Sequence, residues 1–118
     1  MSMVEQQAPR TLPDWFQRNA TPATGRRAIV LDVREPWEVQ LASVPAANFE
    51  LITMPMASVP ARMAELPRDA AIACLCHHGG RSQQVAQFLA HQGFATLANV
   101  AGGIHAWASE VDPSIPRY

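Results

Sequence analysis

A cysteine, an arginine and two glycines stand close together in the segment AIACLCHHGGRSQQVAQFL, residues 71–89. Cys76 ends an apolar run, and Arg81 follows it after four intervening residues, just before a pattern with helical spacing begins. A thiolate is a strong nucleophile, and a guanidinium is a permanent cation whose geometry suits oxyanions. The segment therefore predicts covalent catalysis on an anionic substrate, with Cys76 as the nucleophile.

The expected place of this loop, between a strand and a helix, favours negative charge. Backbone N–H groups at a helix N-terminus have no partner within the helix, and the helix dipole adds to their attraction for anions. Gly79 and Gly80 are predicted to take backbone angles closed to other residues, so that the loop curls around an anion. We expect Cys76 to be largely thiolate near neutral pH, with Arg81 contacting the substrate.

Strands and helices must alternate to position this loop. Apolar, β-branched runs predict strands at 28–33, 48–53, 70–75 and 95–100, with a short edge strand within 1–10. Helical spacing and Pro or Gly boundaries predict helices at 12–19, 35–42, 58–67, 82–93 and 103–111. This order predicts an α/β fold with a largely parallel sheet covered on both faces, and ligands beyond the carboxyl ends of the strands.

Composition restricts the size and class of the protein. The chain has 118 residues, 48% of them hydrophobic, which predicts a single domain over 1–118 with a polar lead-in at 1–10. A net charge of −1 and a pI near 6.4 argue against nucleic acid or an anionic membrane as a partner.

The cellular compartment is predicted from the first residues and from the cysteines. The opening MSMVEQQAPRTLPDW has no basic start and apolar run of a signal peptide, so we expect a cytoplasmic protein with reduced thiols. Cys74 and Cys76 are too close in sequence for an unstrained disulfide. Cys74 lies inside the predicted strand and is interpreted as a buried core residue.

Three motifs resemble the rhodanese domain, a sulfurtransferase module. CHHGGRS (76–82) is similar to its active-site loop, LDVREPWE (31–38) to its early signature and VAGGIHAW (100–107) to its C-terminal signature. The resemblance covers about residues 10–118 and implies a rhodanese-like three-layer fold with a mostly parallel five-stranded sheet and helices on both faces. One departure is Ser43, which stands in ASVPAA where the family's turn usually has a histidine.

The resemblance implies a mechanism. Cys76 would attack the sulfane sulfur of a donor such as thiosulfate and become a persulfide, and the sulfur would then pass to cyanide, a thiol or a sulfur-carrier protein. The substrate-binding residues would be those of the loop, His77, His78, Gly79, Gly80, Arg81 and Ser82. The same resemblance implies no metal and no organic cofactor.

Two other functions compete with sulfur transfer. Phosphatases of the rhodanese fold, and arsenate reductases, would need a wider ring of donors; those phosphatases have five residues between Cys and Arg, whereas four separate Cys76 from Arg81 here. A non-catalytic binding or scaffold module would usually lack the cysteine, which this chain keeps. A persulfide dedicated to one acceptor protein is a third possibility that the sequence leaves open.

The remaining polar residues have structural interpretations beside functional ones. By family likeness, Asp32 and Arg34 support the loops through charge-assisted hydrogen bonds, and direct contact with the substrate is the less favoured alternative. His77 and His78 either contact the donor or tune the thiolate, or they are solvent-exposed. A metal site from Cys74, Cys76 and these histidines is disfavoured, because adjacent residues rarely face one ion and no second ligand cluster is evident in the sequence. The three tryptophans, Trp15, Trp37 and Trp107, are predicted to be packing anchors rather than substrate contacts, with Trp37 near the pocket as an alternative.

Overall fold

Five strands and five α-helices alternate along residues 4–21 and 23–118, the part of the chain that a computed structural model describes. The strands are β1 (Val4–Gln7), β2 (Ala28–Asp32), β3 (Glu50–Thr53), β4 (Ala71–Leu75) and β5 (Thr96–Val100). The helices are α1 (Leu12–Asn19), α2 (Pro36–Leu41), α3 (Val59–Arg62), α4 (Gly80–His91) and α5 (Gly103–Glu110). Short 3₁₀ turns occupy Pro9–Thr11, Met56–Ser58 and Met63–Glu65.

The strands form one sheet in the order β1-β5-β4-β2-β3, and each neighbouring pair is parallel. The parallel sheet predicted from the sequence is confirmed, and so is the edge strand of the lead-in, which pairs with β5. Residues 1–3 of that lead-in lie outside the described residues. The loop after β4 leaves the sheet at its centre, because β4 lies between β5 and β2.

Two hydrophobic layers cover the two faces of the sheet. Along β4, Ala73 and Leu75 face one layer, while Ile72 and Cys74 face the other, as the alternation of side chains in a strand requires. The first layer is closed by α1 and α5 and the second by α3 and α4. This arrangement confirms the three-layer fold, and it explains why the central strand is apolar along its whole length. The anchors of the first layer are Leu12, Trp15, Phe16, Ile104 and Trp107, and those of the second are Val59, Val85, Ala86 and Leu89.

The prediction of one continuous helix over 58–67 is wrong. The structure has a 3₁₀ turn, a four-residue helix and a second 3₁₀ turn in this region. Pro55 precedes the first turn, Pro60 lies in the first turn of α3, and Pro67 follows the second 3₁₀ turn. Proline supplies no N–H for a continuous ladder, so the segment bends while Val59 and Leu66 still reach the core.

The carboxyl edge of the sheet gathers the ends of β2 and β4. The backbone N–H of Val33 donates to Leu75 O at 2.9 Å, so the chain segments after these two strands begin side by side. Both α2 and α4 start from this edge. None of the helices in residues 4–21 and 23–118 has the length and apolar character that a membrane crossing needs.

Candidate active site

Cys76 is the first residue after β4, and it opens the loop that leads into α4. This loop spans residues 76–79, and the helix begins at Gly80, two residues earlier than the sequence pattern predicts. Only 1% of Cys76 is exposed. The thiol therefore lies at the carboxyl edge of the sheet and beside a helix N-terminus, where unpaired N–H groups favour negative charge.

Two hydrogen-bond donors contact the Cys76 sulfur. The Gly79 N–H donates to Sγ at 3.1 Å, and the Ser82 hydroxyl lies 3.2 Å from the same atom. Ser82 Oγ is also 2.5 Å from Asn99 Oδ1. A hydroxyl has one proton to donate, so Ser82 can serve the sulfur or the amide oxygen but not both. The Ser82 hydroxyl therefore links the Cys76 sulfur to Asn99.

Asn99, on β5, fixes the loop from the sheet side. Its Nδ2 donates to Gly79 O at 3.2 Å and to Gln6 Oε1 at 3.0 Å, while its Oδ1 faces Ser82. The side chain is buried. Sequence reasoning missed this residue, although one signal was present: an amide inside an otherwise apolar buried strand needs polar partners.

The N-terminus of α5 holds the other side of the loop. The N–H groups of Ile104 and His105 donate to Cys76 O at 2.9 Å and to His77 O at 3.1 Å. A Cβ on Gly103 would lie 2.3 Å from His77 O, so only glycine permits this approach. The glycine pair of the third sequence motif therefore does more than form a turn, because it lets α5 bond directly to the backbone of the nucleophile.

The two loop glycines differ in conformation, which corrects the prediction that both need special backbone angles. Gly79 has φ +109°, and a Cβ there would lie 3.3 Å from Gly102 N. Gly80 is outside the left-handed region and is the first residue of α4, with no atom within 4 Å of the place a Cβ would take. The curl of the loop depends on Gly79 alone of these two.

Arg81 forms a bidentate ion pair with Glu38. Its Nη1 and Nη2 donate to Glu38 Oε2 and Oε1 at 2.7 and 2.8 Å, which raises the pKa of the guanidinium further above its ordinary value. The Arg81 side chain is 35% exposed, whereas that of Glu38 is 4% exposed. A guanidinium has five N–H groups, so three remain for other acceptors.

Glu38 was absent from the site residues predicted from the sequence, although it lies within the LDVREPWE motif. Its carboxylate also accepts the Glu35 N–H at 2.9 Å and the Tyr118 hydroxyl at 3.0 Å. These bonds, with that from Arg81 the largest contribution, lower the pKa of Glu38 from 4.5 to about 2 against the opposing effect of burial. Glu38 is therefore an anion that joins α2, α4 and the C-terminal segment.

Asp32 and Arg34 form a fully buried pair behind Glu38. Arg34 Nη2 and Nε donate to Asp32 Oδ2 and Oδ1 at 2.7 and 2.9 Å, and both side chains have no exposed surface. The remaining Arg34 donors reach the carbonyl oxygens of Ala42 at 2.8 Å and Glu38 at 3.3 Å and the Tyr118 hydroxyl at 3.0 Å. No donor of this fork faces a substrate opening, and the pair connects three backbone segments.

His77 and His78 turn towards α5 and the C-terminus. The His77 ring stacks on Tyr118 with centroids 3.9 Å apart and on His78 at 4.0 Å. His105 completes the group, with its ring centroid 5.1 Å from that of His78. Burial is the main cause that lowers the pKa of His77, and the neighbouring His78 adds to it.

The fold has counterparts among known proteins. The model of the family described as "Rhodanese-like domain" matches residues 12–110. This chain belongs to the rhodanese-like domain family. A rhodanese-related protein from Thermoplasma volcanium, whose crystal structure is known, superimposes with a TM-score of 0.73 at 29% identity, covering 97% of this chain and 99% of that one.

Two relatives show how this rhodanese-like domain is used elsewhere. The chain is 36% identical over 80 residues to a protein from Allochromatium vinosum named "Sulfurtransferase", covering 68% of this chain and 71% of that protein. It is 41% identical over 91 residues to the Arabidopsis thaliana protein named "Rhodanese-like/PpiC domain-containing protein 12, chloroplastic", covering 77% of this chain. The match spans only 30% of the Arabidopsis protein, so the same module also occurs within longer chains.

The other cysteine of this rhodanese-like domain, Cys74, is a core residue, as the sequence predicts. Cys74 is free and completely buried in β4, and burial raises the pKa of its thiol to about 12. A thiol of this kind stays protonated and inert at neutral pH. Cys74 therefore serves as an internal control for any chemistry assigned to Cys76.

Two predictions near the rim of the site need separate mention. Trp15 and Trp107 are packing anchors, but the same prediction for Trp37 is wrong: it is 60% exposed, with its ring edge-on to Tyr118 at 6.3 Å. Trp37 is the second residue of the short helix α2, whose buried contact is Glu38 instead. Ser43 stands where the turn of the family usually has a histidine. Its hydroxyl donates to Val39 O at 2.6 Å and caps the C-terminal end of α2.

Proposed function

We propose that this rhodanese-like domain is a sulfurtransferase that carries a sulfane sulfur as a persulfide on Cys76. The observation that supports it most is the pair of donors on Sγ, the Gly79 N–H at 3.1 Å and the Ser82 hydroxyl at 3.2 Å, at the N-terminus of α4. Donors fixed in advance around a sulfur stabilise its negative charge without reorganisation at the moment of reaction.

The proposed cycle has two displacements at sulfur. The Cys76 thiolate attacks the outer sulfur of thiosulfate, a new S–S bond forms, and the old S–S bond breaks so that sulfite leaves with the electron pair. An acceptor nucleophile, which is cyanide, a small-molecule thiol or a thiol of a sulfur-acceptor protein, then attacks the outer persulfide sulfur. The bond to Cys76 Sγ breaks, and the thiolate returns unchanged. The cycle uses the cysteine, the donor and the acceptor alone.

The loop residues have distinct roles in this proposal. The N–H groups from His77 to Ser82 surround the persulfide, and the free N–H groups of Arg81 attract the sulfonate part of the donor. His77 and His78 lie on the side of the loop that faces α5 and the C-terminal segment. Asp32 and Arg34 support the site through Glu38. The small anionic donor and a sulfur-acceptor protein are the partners that we propose, and a cytoplasmic location stays a prediction of the sequence.

The same geometry disfavours the competing functions. Four residues separate Cys76 from Arg81, and only 1% of Cys76 is exposed, so the loop suits a slender sulfur donor better than a phosphoryl group with its three oxygens. A scaffold module would have no need for a buried Ser82–Asn99 pair directed at a thiol. These points support catalysis by Cys76.

The test is the intact mass of the protein after incubation with thiosulfate, followed by a chase with cyanide. We expect the wild-type chain to gain one sulfur atom on Cys76 and to lose it as thiocyanate appears. Cys76→Ala should gain nothing, whereas Cys74→Ala, the matched control, should behave as the wild type because that thiol is buried and protonated.

The outcomes separate the possible errors. Sulfur gained by Cys76→Ala would refute the assignment of the nucleophile. No gain by the wild type would show that thiosulfate is not a donor; a persulfide or polysulfide donor then decides between sulfur transfer and the scaffold function. A persulfide that forms but resists cyanide would indicate a dedicated protein acceptor.

A further inference from the structure

Three histidines come together beside the loop of Cys76. His77 and His78 belong to the loop, and His105 lies in the first turn of α5. One ring nitrogen from each can be chosen so that all three lie within 4.8 Å of one another. Cys76, Arg81 and the proposed sulfur chemistry make no use of His105, so this cluster needs an explanation of its own.

The tertiary structure supplies the ligand that the sequence does not reveal. The sequence disfavours a metal site from Cys74, Cys76 and the two adjacent histidines, because neighbours in the chain rarely face one ion and no second ligand cluster is evident. In the fold, the His105 N–H donates to His77 O at 3.1 Å, which fixes the start of α5 against the loop. The backbone of the third histidine is therefore held beside the loop, and its exposed imidazole can turn.

The group has the chemistry of a three-histidine transition-metal site. Imidazole nitrogens bind Zn²⁺ at about 2.0–2.1 Å, so two ligands of a tetrahedral ion are roughly 3.3 Å apart. The three nitrogens lie within 4.8 Å of one another, and the exposed rings of His78 and His105 can turn towards that spacing. The His77 ring must leave its stack on Tyr118, while three protein ligands keep one coordination position open.

We propose that His77, His78 and His105 bind one divalent transition-metal ion of the Zn²⁺ class, and that the bound ion obstructs access to Cys76. The first part stands on the histidine geometry alone. The second rests on the proposed function, because it makes the ion a reversible inhibitor of sulfur transfer. His77 follows Cys76 directly in the chain, and the N-terminus of α5 donates to the carbonyl oxygens of both residues, so an ion on these histidines would lie beside the loop.

The binding experiment uses Zn²⁺ alone, titrated into the full chain in competition with a chromophoric chelator. We expect one ion per chain in the wild type and an affinity about tenfold or more weaker in His105→Ala. His91→Ala is the matched control, since His91 is the fourth histidine of the chain and lies in the last turn of α4, outside the cluster. Cys76→Ala tests whether the thiol is the true ligand.

The results decide the first part in either direction. Retained affinity in both His105→Ala and His78→Ala would overturn the site, and His78→Ala serves if His105→Ala disturbs α5. Loss of binding in Cys76→Ala would overturn it as well, since the ion would then sit on sulfur. Unchanged affinity in His91→Ala and Cys76→Ala, with the losses above, would establish the three-histidine site.

The second part is tested by the rate at which iodoacetamide alkylates Cys76, with and without Zn²⁺. This rate measures access to the thiol whether or not the protein transfers sulfur, so failure of the proposed function does not confuse the result. We expect Zn²⁺ to slow alkylation in the wild type and in His91→Ala, and a chelator to restore it. Equal protection in His105→Ala, or none in the wild type, would contradict obstruction by the ion.

Discussion

At the scale of single residues, the site combines a nucleophile with partners that the chain brings from far apart in sequence. Cys76 and Ser82 come from one loop and the following helix, whereas Asn99 lies on the next strand. Arg81 differs from the other loop residues because its charge is already balanced by Glu38. Its role is therefore open to a direct test.

Arg81→Ala is expected to raise the KM for thiosulfate about tenfold, since a charge-assisted hydrogen bond to the donor is lost. Discharge of a preformed persulfide to cyanide should change much less. Separate rates for the two half-reactions measure this difference. Arg10→Ala is the control, because Arg10 also pairs with a glutamate, Glu110, but lies outside the loop. Equal losses in both half-reactions would show that Arg81 shapes the loop and does not bind the donor.

At the scale of elements, two features hold the loop in place: the left-handed turn into α4 and the ion pair between α2 and α4. The turn depends on Gly79, whose φ of +109° is costly for any residue with a Cβ. The ion pair depends on Glu38, which α2 presents as its buried residue. We expect substitution of either residue to cause a measurable loss of stability.

Gly79→Ala should lower the free energy of unfolding by about 1–2 kcal/mol, because alanine is strained at this φ. It should also slow persulfide formation, since the N–H that reaches Cys76 Sγ is displaced. Gly80→Ala, the matched control in α4, should not lower stability, because alanine is favoured over glycine in a helix. Urea denaturation compares the two variants, and equal stabilities would contradict the turn argument.

The stability of the protein should depend on Glu38 in acid. Its pKa is about 2 in the folded chain and 4.5 ordinarily, so the unfolded chain binds more protons between these values. The stabilisation is complete above pH 4.5 and is lost as the pH falls towards 2. The pKa difference corresponds to about 3 kcal/mol at most, and solvent around the partly exposed Arg81 reduces this.

Glu38→Gln should therefore be less stable at neutral pH and show a flatter fall in unfolding free energy between pH 4.5 and 2. Urea denaturation at several pH values measures both effects. Glu65→Gln is the control, because Glu65 pairs with Arg62 on the surface, where solvent weakens the interaction. A wild-type slope in Glu38→Gln would show that other groups cause the acid sensitivity.

At the scale of the whole molecule, the C-terminal residue is tied back to the active site. The Tyr118 hydroxyl donates to Glu38 Oε1 and accepts from Arg34 Nη1, each at 3.0 Å, while its ring stacks on His77. Arg34, Glu38 and Tyr118 thus share one hydrogen-bonded network, and Tyr118 contacts the loop through His77. This contact links the stability of the C-terminal segment to the site.

Tyr118→Phe should cost about 1–2 kcal/mol of unfolding free energy, because it leaves buried Arg34 and Glu38 groups with fewer partners. Tyr118→Ala should cost more, since the stack on His77 is lost as well. Denaturant unfolding measures both variants. If Tyr118→Phe unfolds as the wild type does, the hydroxyl contributes no stability and the segment is held by its ring alone.

The sequence by itself determined the alternation of strands and helices, the parallel sheet, and Cys76 as the residue that follows a buried strand. These features follow from local patterns: buried parallel strands are apolar throughout, and glycine and proline mark their ends. Local reasoning failed where several prolines interrupt one segment, as at 58–67, and at Trp37, whose helix turns a glutamate inward instead.

Only the tertiary structure decided which residues complete the site. Asn99, Glu38, His105 and Tyr118 are separated from Cys76 in sequence by other elements, so no spacing rule could pair them with it. The difference between Gly79 and Gly80 likewise depends on how closely α5 approaches the loop. Chemistry-bearing residue types are visible in a sequence, but the partners that fix their charge and position are set by the packing of distant strands and helices.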